Sequence, residues 1–213
     1  MRINIGCGQT PTEGWRNFDN SLSLRLSKIP LLPYLLFKAG LLESSQYRFI
    51  EYARANRIEY ADAAKGLPLP DGSVEVLYSS HMLEHLDQTG AELFLKEARR
   101  VLASGGIIRI VVPDLRKLVR QYLDSGDANA FLSSSCLPRP QAKTIAQRLM
   151  VLMVGTRHHQ WMYDGESLCR ILLVHGFSDP GILQPGKTRI ESPGSLDLKE
   201  RISESVYVEA VNS

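Results

Sequence analysis

Residues 3–8 read Ile-Asn-Ile-Gly-Cys-Gly, and ten residues separate Gly8 from Asp19. The isoleucines favour a short β-strand, and glycine at positions 6 and 8 lets the backbone turn sharply and lie against a ligand. An acid at the end of the following strand, here 15–19, can accept hydrogen bonds from the two hydroxyls of a ribose. The stretch therefore predicts a nucleoside-binding edge at the carboxyl end of a first strand.

The spacing of this motif indicates whether the ligand is a dinucleotide or a molecule held by its ribose. A dinucleotide site needs a third glycine at position 11 and an acid about 20 residues further on, after a complete helix. Position 11 is Pro11, and the short interval before Asp19 leaves room for about one helical turn. A ligand held by its ribose is favoured over a pyrophosphate at a helix N-terminus. The alternative is a tight turn that binds nothing.

Length and charge limit the class of protein. A chain of 213 residues predicts a single domain, 1–213, with two insertions at about 21–56 and 127–163. The formal net charge is +2, and no run of lysine and arginine is longer than two residues. A nucleic-acid partner is therefore not expected, and a small molecule is.

Cysteine usage predicts the compartment. Cys7, Cys136 and Cys169 are odd in number and widely spaced, which is typical of free thiols in a reducing compartment. The first strand begins within two residues of Met1, which leaves no room for a signal peptide. Both observations predict a cytoplasmic protein.

Residues 29–42 form an apolar segment interrupted by Pro30, Pro33, Lys38 and Gly40. It is too short to span a bilayer. Apolar clusters of this kind are usually buried or functional. Three uses remain open: a lid over the ligand pocket, a subunit contact, and a peripheral membrane contact.

In the rest of the chain, segments with the residue pattern of a β-strand alternate with segments that have the apolar spacing of an α-helix. Strands are predicted at 57–60, 74–78, 107–112, 188–191 and 206–211, and helices at 89–103, 115–123, about 145–153 and 164–176. Such alternation predicts an α/β fold with a mostly parallel twisted sheet and helices on both faces. Polar groups follow several of these strands, namely Gly6 to Gly8, Asp19, Asp62 and Ser79 to His81. They should meet at one rim.

Six pieces of the chain together resemble the class I S-adenosylmethionine-dependent methyltransferases, in particular small bacterial proteins of the type-11-like group. They are residues 3–8, 14–19, 67–74, 79–85 (Ser-Ser-His-Met-Leu-Glu-His), 95–102 and 207–210. The resemblance implies a Rossmann-like fold, S-adenosyl-L-methionine as cofactor, and a small-molecule or glycan-linked acceptor, methylated at oxygen.

The resemblance also implies which residues contact the cofactor. Gly6, Cys7 and Gly8 would line its methionine part, and Asp19 would hold the ribose. Asp62 and Ala63 would contact the adenine edge, with Ser80 and His81 beside the sulfonium. Many members of the class carry an acid where this chain has Asn4, so recognition of the ammonium group would have to come partly from elsewhere.

Histidines are the candidate catalytic groups, since imidazole has a suitable pKa for taking a proton from a hydroxyl. His81 is the first candidate because it follows the fourth strand; the alternative is a structural histidine that shapes the loop. His159 is the second. It belongs to residues 157–164, which we expect to line one side of the acceptor pocket and call the acceptor wall; this segment also contains His158, Trp161 and Tyr163. The alternative for this wall is a packed loop with Asp164 as a helix cap.

Two further interpretations stay open at this point. His85 is expected to be structural, paired with Glu84 at a helix entry. No metal site is expected, because adjacent histidines rarely face one ion and no metal-ligand spacing is present.

Two other functions compete with methyl transfer. One is a cofactor-binding module without catalysis, to which Asn4 points. The other is a nucleotide-sugar or dinucleotide-dependent Rossmann enzyme, against which Pro11 and the short interval to Asp19 count.

Overall fold

The structure is a computed structural model that describes residues 1–42, 44–137 and 158–213. Its strands are β1 (Arg2–Ile5), β2 (Arg16–Asp19), β3 (Glu59–Tyr60), β4 (Val74–Ser80), β5 (Leu102–Pro113), β6 (Phe177–Leu183) and β7 (Ser205–Asn212). Its helices are α1 (Leu22–Ser27), α2 (Leu32–Lys38), α3 (Ser44–Ala55), α4 (Gln88–Val101), α5 (Leu115–Ser125), α6 (Ala128–Ser135) and α7 (Gly165–Val174), with a short 3₁₀ helix at Leu83–His85.

In this described part of the chain, seven strands form one sheet in the order β3-β2-β1-β4-β5-β7-β6. The pairs from β3 to β5 are parallel, and β7 runs antiparallel to both of its neighbours. The predicted mostly parallel α/β sheet is confirmed. The order of strands reverses between β1 and β4, and ligands of such sheets bind beyond the carboxyl ends of the strands at that point.

The connection from β1 to β2 contains no helix; residues 6–15, all described, form turns. Buried side chains hold it: the Asn4 amide donates to the Thr12 hydroxyl at 3.1 Å, and the Thr12 N–H donates to the side-chain Oδ1 of Asn17 at 2.7 Å. The Asn17 amide donates back to the Thr12 carbonyl at 3.0 Å. The Asn4 side chain thus stabilises the turn itself. Because its amide donates a hydrogen bond, which an ionised acid cannot do, an amide is suited to this position.

Helix α4 forms where the apolar spacing predicts it and places Phe94, Leu95, Ala98 and Val101 in the core. The Asp87 carboxylate caps its first turn. The helix predicted to reach residue 103 ends at Val101, because β5 begins directly at Leu102 and includes Gly105 and Gly106.

The middle of the sheet contains a buried ion pair. Arg109 on β5 and Glu209 on β7 are register partners, both fully buried, with 2.7 Å between Nη1 and Oε1. The Glu209 carboxylate also accepts hydrogen bonds from the Thr188 hydroxyl and the Arg189 N–H. The Arg109 guanidinium lies 5.3 Å from the centre of the Tyr207 ring.

The predicted strand at 188–191 is wrong, since these residues form a loop whose polar groups bond to Glu209. The edge strand is instead β6. It contains Pro180 and Gly181, two residues that favour a turn, so the sequence does not predict a strand there. A shift of register between Ser178 and Gly181 accommodates the pair, as is usual for proline and glycine in edge strands.

The first insertion folds as α1, α2 and α3, and several of its apolar side chains are exposed: Ile29, Leu31, Tyr34, Leu35 and Leu41. Across the described residues, no helix has both the length and the apolar character needed to cross a membrane. The helix predicted at 145–153 lies outside the described residues, as does Arg157.

Helix α7 begins at a capping box, as the sequence predicts for Asp164. The Asp164 carboxylate accepts the Ser167 N–H at 2.7 Å, and the Asp164 N–H donates to the Ser167 hydroxyl at 3.0 Å. Replacing Asp164 by alanine should lower the free energy of unfolding by about 1 kcal/mol, since a cap is lost. Urea denaturation monitored by circular dichroism measures this.

The variant Asp164→Asn is the matched control, because asparagine caps nearly as well. The backbone hydrogen bond from Ser167 lowers the pKa of Asp164, and Arg116 adds to this effect. The carboxylate therefore stabilises the fold above its unfolded-state pKa, and this part is lost as pH falls through the folded-state pKa. A stability difference between wild type and Asp164→Asn that grows at low pH would contradict this assignment.

Candidate functional site

The glycines after β1 form the first edge of the site. Gly6 has φ +71°, and its N–H donates to the Phe18 carbonyl at 2.8 Å. A Cβ at Gly6 would lie 2.6 Å from Cγ of Met82, whereas one at Gly8, with φ +50°, would meet nothing within 4 Å. Gly6 is thus required for packing on Met82, and Gly8 faces open space.

The structure brings Asp19 to Gly8, as the motif predicts. Its Oδ2 accepts the Gly8 N–H at 3.1 Å, and its Oδ1 accepts the Ser21 N–H at 2.8 Å. A carboxylate oxygen has a second lone pair beyond the one used here. Both oxygens can therefore still accept hydrogen bonds from a ligand.

The Cys7 thiol lies between these glycines and is buried. Burial raises its pKa well above its usual range, and the Asp19 carboxylate adds to the effect. Cys7 therefore contributes a neutral thiol to this edge and is not an ionised nucleophile.

Asp62 and Ala63 follow β3, close to the end of β2, where the Ala61 N–H donates to the Asp19 carbonyl at 3.1 Å. The Asp62 carboxylate accepts the Ala64 N–H and forms an ion pair with Lys65 at 3.0 Å. Ala63 is buried in the main core. The structure thus places both residues beside Asp19, in a turn that Asp62 stabilises.

Ser80 ends β4, and His81 follows it with φ +49°, an uncommon conformation for a residue with a side chain. The imidazole Nε2 lies 2.9 Å from the Ser205 hydroxyl, and Nδ1 lies 3.2 Å from Nη1 of Arg201. The side chain is 6% exposed. Both ring nitrogens are therefore engaged inside the protein.

Glu84 is a residue that the sequence analysis missed as a candidate site residue. Its side chain is 1% exposed, and neither carboxylate oxygen accepts a hydrogen bond from the described residues. Its Oε1 lies 3.4 Å from Nδ1 of His81 and 3.9 Å from Nε2 of His159. A buried carboxylate thus lies between the two predicted catalytic histidines.

The residues that follow the second insertion pack onto the 3₁₀ helix. The N–H groups of Gln160 and Trp161 both donate to the Glu84 carbonyl, at 2.7 and 3.2 Å. The rings of His85 and His159 lie 5.1 Å apart, edge to face. Glu84, His85 and His159 each place one ligand-type atom within 4.8 Å of the others, so this cluster has the residue types that hold a metal ion.

Burial is the main cause that lowers the pKa of His159; the Glu84 carboxylate opposes this effect, and the proximity of His85 adds to it. Burial, with a contribution from Glu84, raises the pKa of Tyr163 to about 12. His159 is therefore favoured in its neutral form, and Tyr163 keeps its hydroxyl proton near neutral pH.

The expected acceptor wall is divided between two environments. His158, His159 and Tyr163 are buried, and the Trp161 side chain is 45% exposed. Asp164 caps α7, so the alternative given for this residue describes it correctly. Trp161 is the aromatic group of this segment that remains available to a ligand.

Comparison with known proteins adds two findings. A protein-family model described as a methyltransferase domain matches residues 41–110. No curated protein sequence matches the chain.

Solved structures share the fold. A SAM-dependent methyltransferase from Archaeoglobus fulgidus is 18% identical, with a TM-score of 0.52 over 98% of this chain and 84% of that one. One from Methanosarcina mazei is 14% identical, with a TM-score of 0.51 over 99% and 91% of the chains. One from Thermotoga maritima is 17% identical, with a TM-score of 0.50 over 99% and 81%.

Proposed function

We propose that this chain is a class I S-adenosylmethionine-dependent methyltransferase that methylates a hydroxyl group of a small-molecule or glycan-linked acceptor. The observation that carries the proposal is the shared position of two groups of residues. Gly8 and Asp19 follow β1 and β2, and His81 with its neighbours follows β4. These strands adjoin in the sheet, so cofactor and acceptor would meet at one rim.

The residues at the glycine edge fit the cofactor. Gly8 leaves open space for backbone contact, and Asp19 has acceptor capacity for ribose hydroxyls. Ala63, which follows β3, would border the adenine, and Ser80, at the end of β4, would lie near the sulfonium. When bound, the cofactor would supply an electrophilic methyl group to the acceptor oxygen, with neutral S-adenosylhomocysteine as the leaving group.

His81 is the residue that we propose to orient the acceptor hydroxyl and accept its proton. The Arg201 side chain, which contacts Nδ1, is about half exposed at 55%, so an acceptor can displace it at small cost. The contact of Nε2 with Ser205 then fixes the ring while the other nitrogen faces the hydroxyl. Aligning the two reactants is the larger part of catalysis in such a displacement.

Acceptor recognition falls to the segment that covers the 3₁₀ helix. Trp161 presents an exposed aromatic face, which suits stacking on a sugar or another ring. His159 would shape the pocket from within. Residues 29–42 connect the strands that end at Asp19 and near Asp62, so closure over the cofactor is the role that we propose for them; a subunit or membrane contact is the alternative.

The cofactor assignment predicts a loss of affinity in Asp19→Ala. Removing the carboxylate should weaken S-adenosylhomocysteine binding by about 1.5–3 kcal/mol, the range for hydrogen bonds to a charged group. Isothermal titration calorimetry measures this. Asp19→Asn, which keeps one acceptor oxygen, should lose less, and equal affinity in wild type and Asp19→Ala would show that Asp19 does not hold the ribose.

The acceptor class is tested by product analysis. The protein is incubated with cofactor carrying a ¹³C-labelled methyl group and with two panels, one of sugars and phenols and one of matched primary amines. The proposal expects release of S-adenosylhomocysteine and an O-methyl product signal from the first panel. Turnover with the amines alone would overturn oxygen as the target.

A further inference from the structure

We propose that Glu84, His85 and His159 bind a divalent transition-metal ion. The starting observation is the Glu84 carboxylate, which is buried and accepts no hydrogen bond from any described residue. Burying an ionised carboxylate without a partner is costly, so native proteins pair such groups or bind a cation with them. A metal ion satisfies both oxygens of Glu84.

The spacing of the three side chains suits one ion. Their ligand atoms lie within 4.8 Å of one another, and Glu84 Oε1 is 3.9 Å from His159 Nε2. Bonds of about 2.1 Å in a tetrahedral site place ligand atoms about 3.4 Å apart. On binding an ion, the side chains would rotate so that their ligand atoms approach one another.

The orientation of His85 supports the same conclusion. Its Nδ1 lies 3.1 Å from the His158 carbonyl, so this nitrogen donates its proton there and Nε2 carries the free lone pair. A backbone carbonyl that fixes the opposite ring nitrogen is the usual outer contact of a metal-bound histidine. The hydrogen bonds from Gln160 and Trp161 to the Glu84 carbonyl hold the two segments together.

The His81 ring, which lies beside Glu84, is engaged by other residues in the described part of the chain. Nδ1 of His81 receives the Arg201 guanidinium at 3.2 Å, while Nε2 faces Ser205. Among the described residues, no lysine or arginine forms an ion pair with Glu84, so a bound cation would supply the compensating charge.

The donor set selects the class of metal. Two imidazoles and one carboxylate suit zinc, iron, cobalt or nickel, whereas magnesium and calcium prefer oxygen ligands alone. Residues 138–157 contain no histidine, cysteine, aspartate or glutamate. Three protein ligands would leave a coordination position open, as in catalytic sites.

The sequence alone does not predict this metal site, because its ligands are far apart along the chain. Glu84 and His85 are adjacent, but His159 lies more than seventy residues further along, so no ligand spacing is visible. An ion at Glu84 would lie next to His81, where it would lower the pKa of an acceptor hydroxyl. That consequence rests on the proposed function; binding of the ion does not.

The test is titration of the full-length, chelator-treated protein with Co²⁺, whose visible absorption reports its ligands, followed by competition with Zn²⁺. Wild type should bind one equivalent, and Glu84→Gln and His159→Ala should bind at least about tenfold more weakly. His175→Ala, a histidine at the end of α7, is the control and should bind as wild type does. Circular dichroism verifies that each variant is folded.

Two outcomes would overturn the inference: no stoichiometric binding by wild type, or equal affinity in all folded variants. If Glu84→Gln does not fold, the Co²⁺ affinities of His159→Ala and His85→Ala, measured by the same visible absorption, test the inference instead. Calorimetry of S-adenosylhomocysteine and methyl transfer are measured separately. Failure to bind metal would leave methyl transfer standing, and failure of methyl transfer would leave metal binding standing.

Discussion

Replacing His81 by asparagine should lower kcat by about 10²–10⁴-fold, the range for loss of a general base. The affinity for S-adenosylhomocysteine should stay close to that of wild type, because the glycine edge and Asp19 do not depend on the imidazole. Asparagine is the appropriate substitution, since His81 has φ +49° and asparagine tolerates that region better than alanine. Single-turnover kinetics with saturating cofactor and acceptor measure the effect.

The comparison variant is His159→Ala, which separates two roles. If His159 only shapes the pocket, this variant raises KM and leaves kcat nearly unchanged. If it also holds an ion used in catalysis, kcat falls as well. Full kcat in His81→Asn would remove His81 as the base and direct attention to His159.

The second large effect concerns stability. Replacing Arg109 by methionine should lower the free energy of unfolding by about 3–5 kcal/mol, because Glu209 is left charged and buried without its partner. Both residues are completely buried and belong to the adjacent interior strands β5 and β7. Urea denaturation, with the transition followed by circular dichroism, measures the change.

The control for this prediction is a double-mutant cycle. Removing both charges in Arg109→Met with Glu209→Met should restore part of the loss, since a buried pair can often be replaced by apolar side chains at little cost. Arg54→Met, at an exposed ion pair with Glu51, should change stability by less than about 1 kcal/mol. A loss of that small size in Arg109→Met would show that the pair is not a main source of stability.

The fold was predictable where the signal is local. The isoleucines of β1, the apolar spacing of α4 and the cap at Asp164 each depend on residues within a few positions of one another. The strand β6 was missed because Pro180 and Gly181 favour a turn, and only pairing with β7 overrides that preference. The pair of Arg109 with Glu209 is likewise invisible locally, because its partners are a hundred residues apart.

In the candidate site, too, contacts between residues that are close in sequence were predictable and contacts between distant residues were not. Gly8 and Asp19 are close in sequence and adjacent in the structure, so their contact was predictable. Glu84 resembles a capping residue in the sequence, and its position between His81 and His159 exists only because residues after 157 pack back onto the 3₁₀ helix. The roles of these side chains in binding and catalysis stay predictions.

The side-chain network in the turn between β1 and β2 has a consequence for the thermodynamics of binding. Because Asn4, Thr12 and Asn17 fix this turn by hydrogen bonds within the protein, the glycine edge is already ordered before any ligand arrives. The entropy of ordering that loop is then lost during folding and not during association. A cofactor would therefore bind to a preorganised turn, and its affinity would carry no cost for ordering that turn.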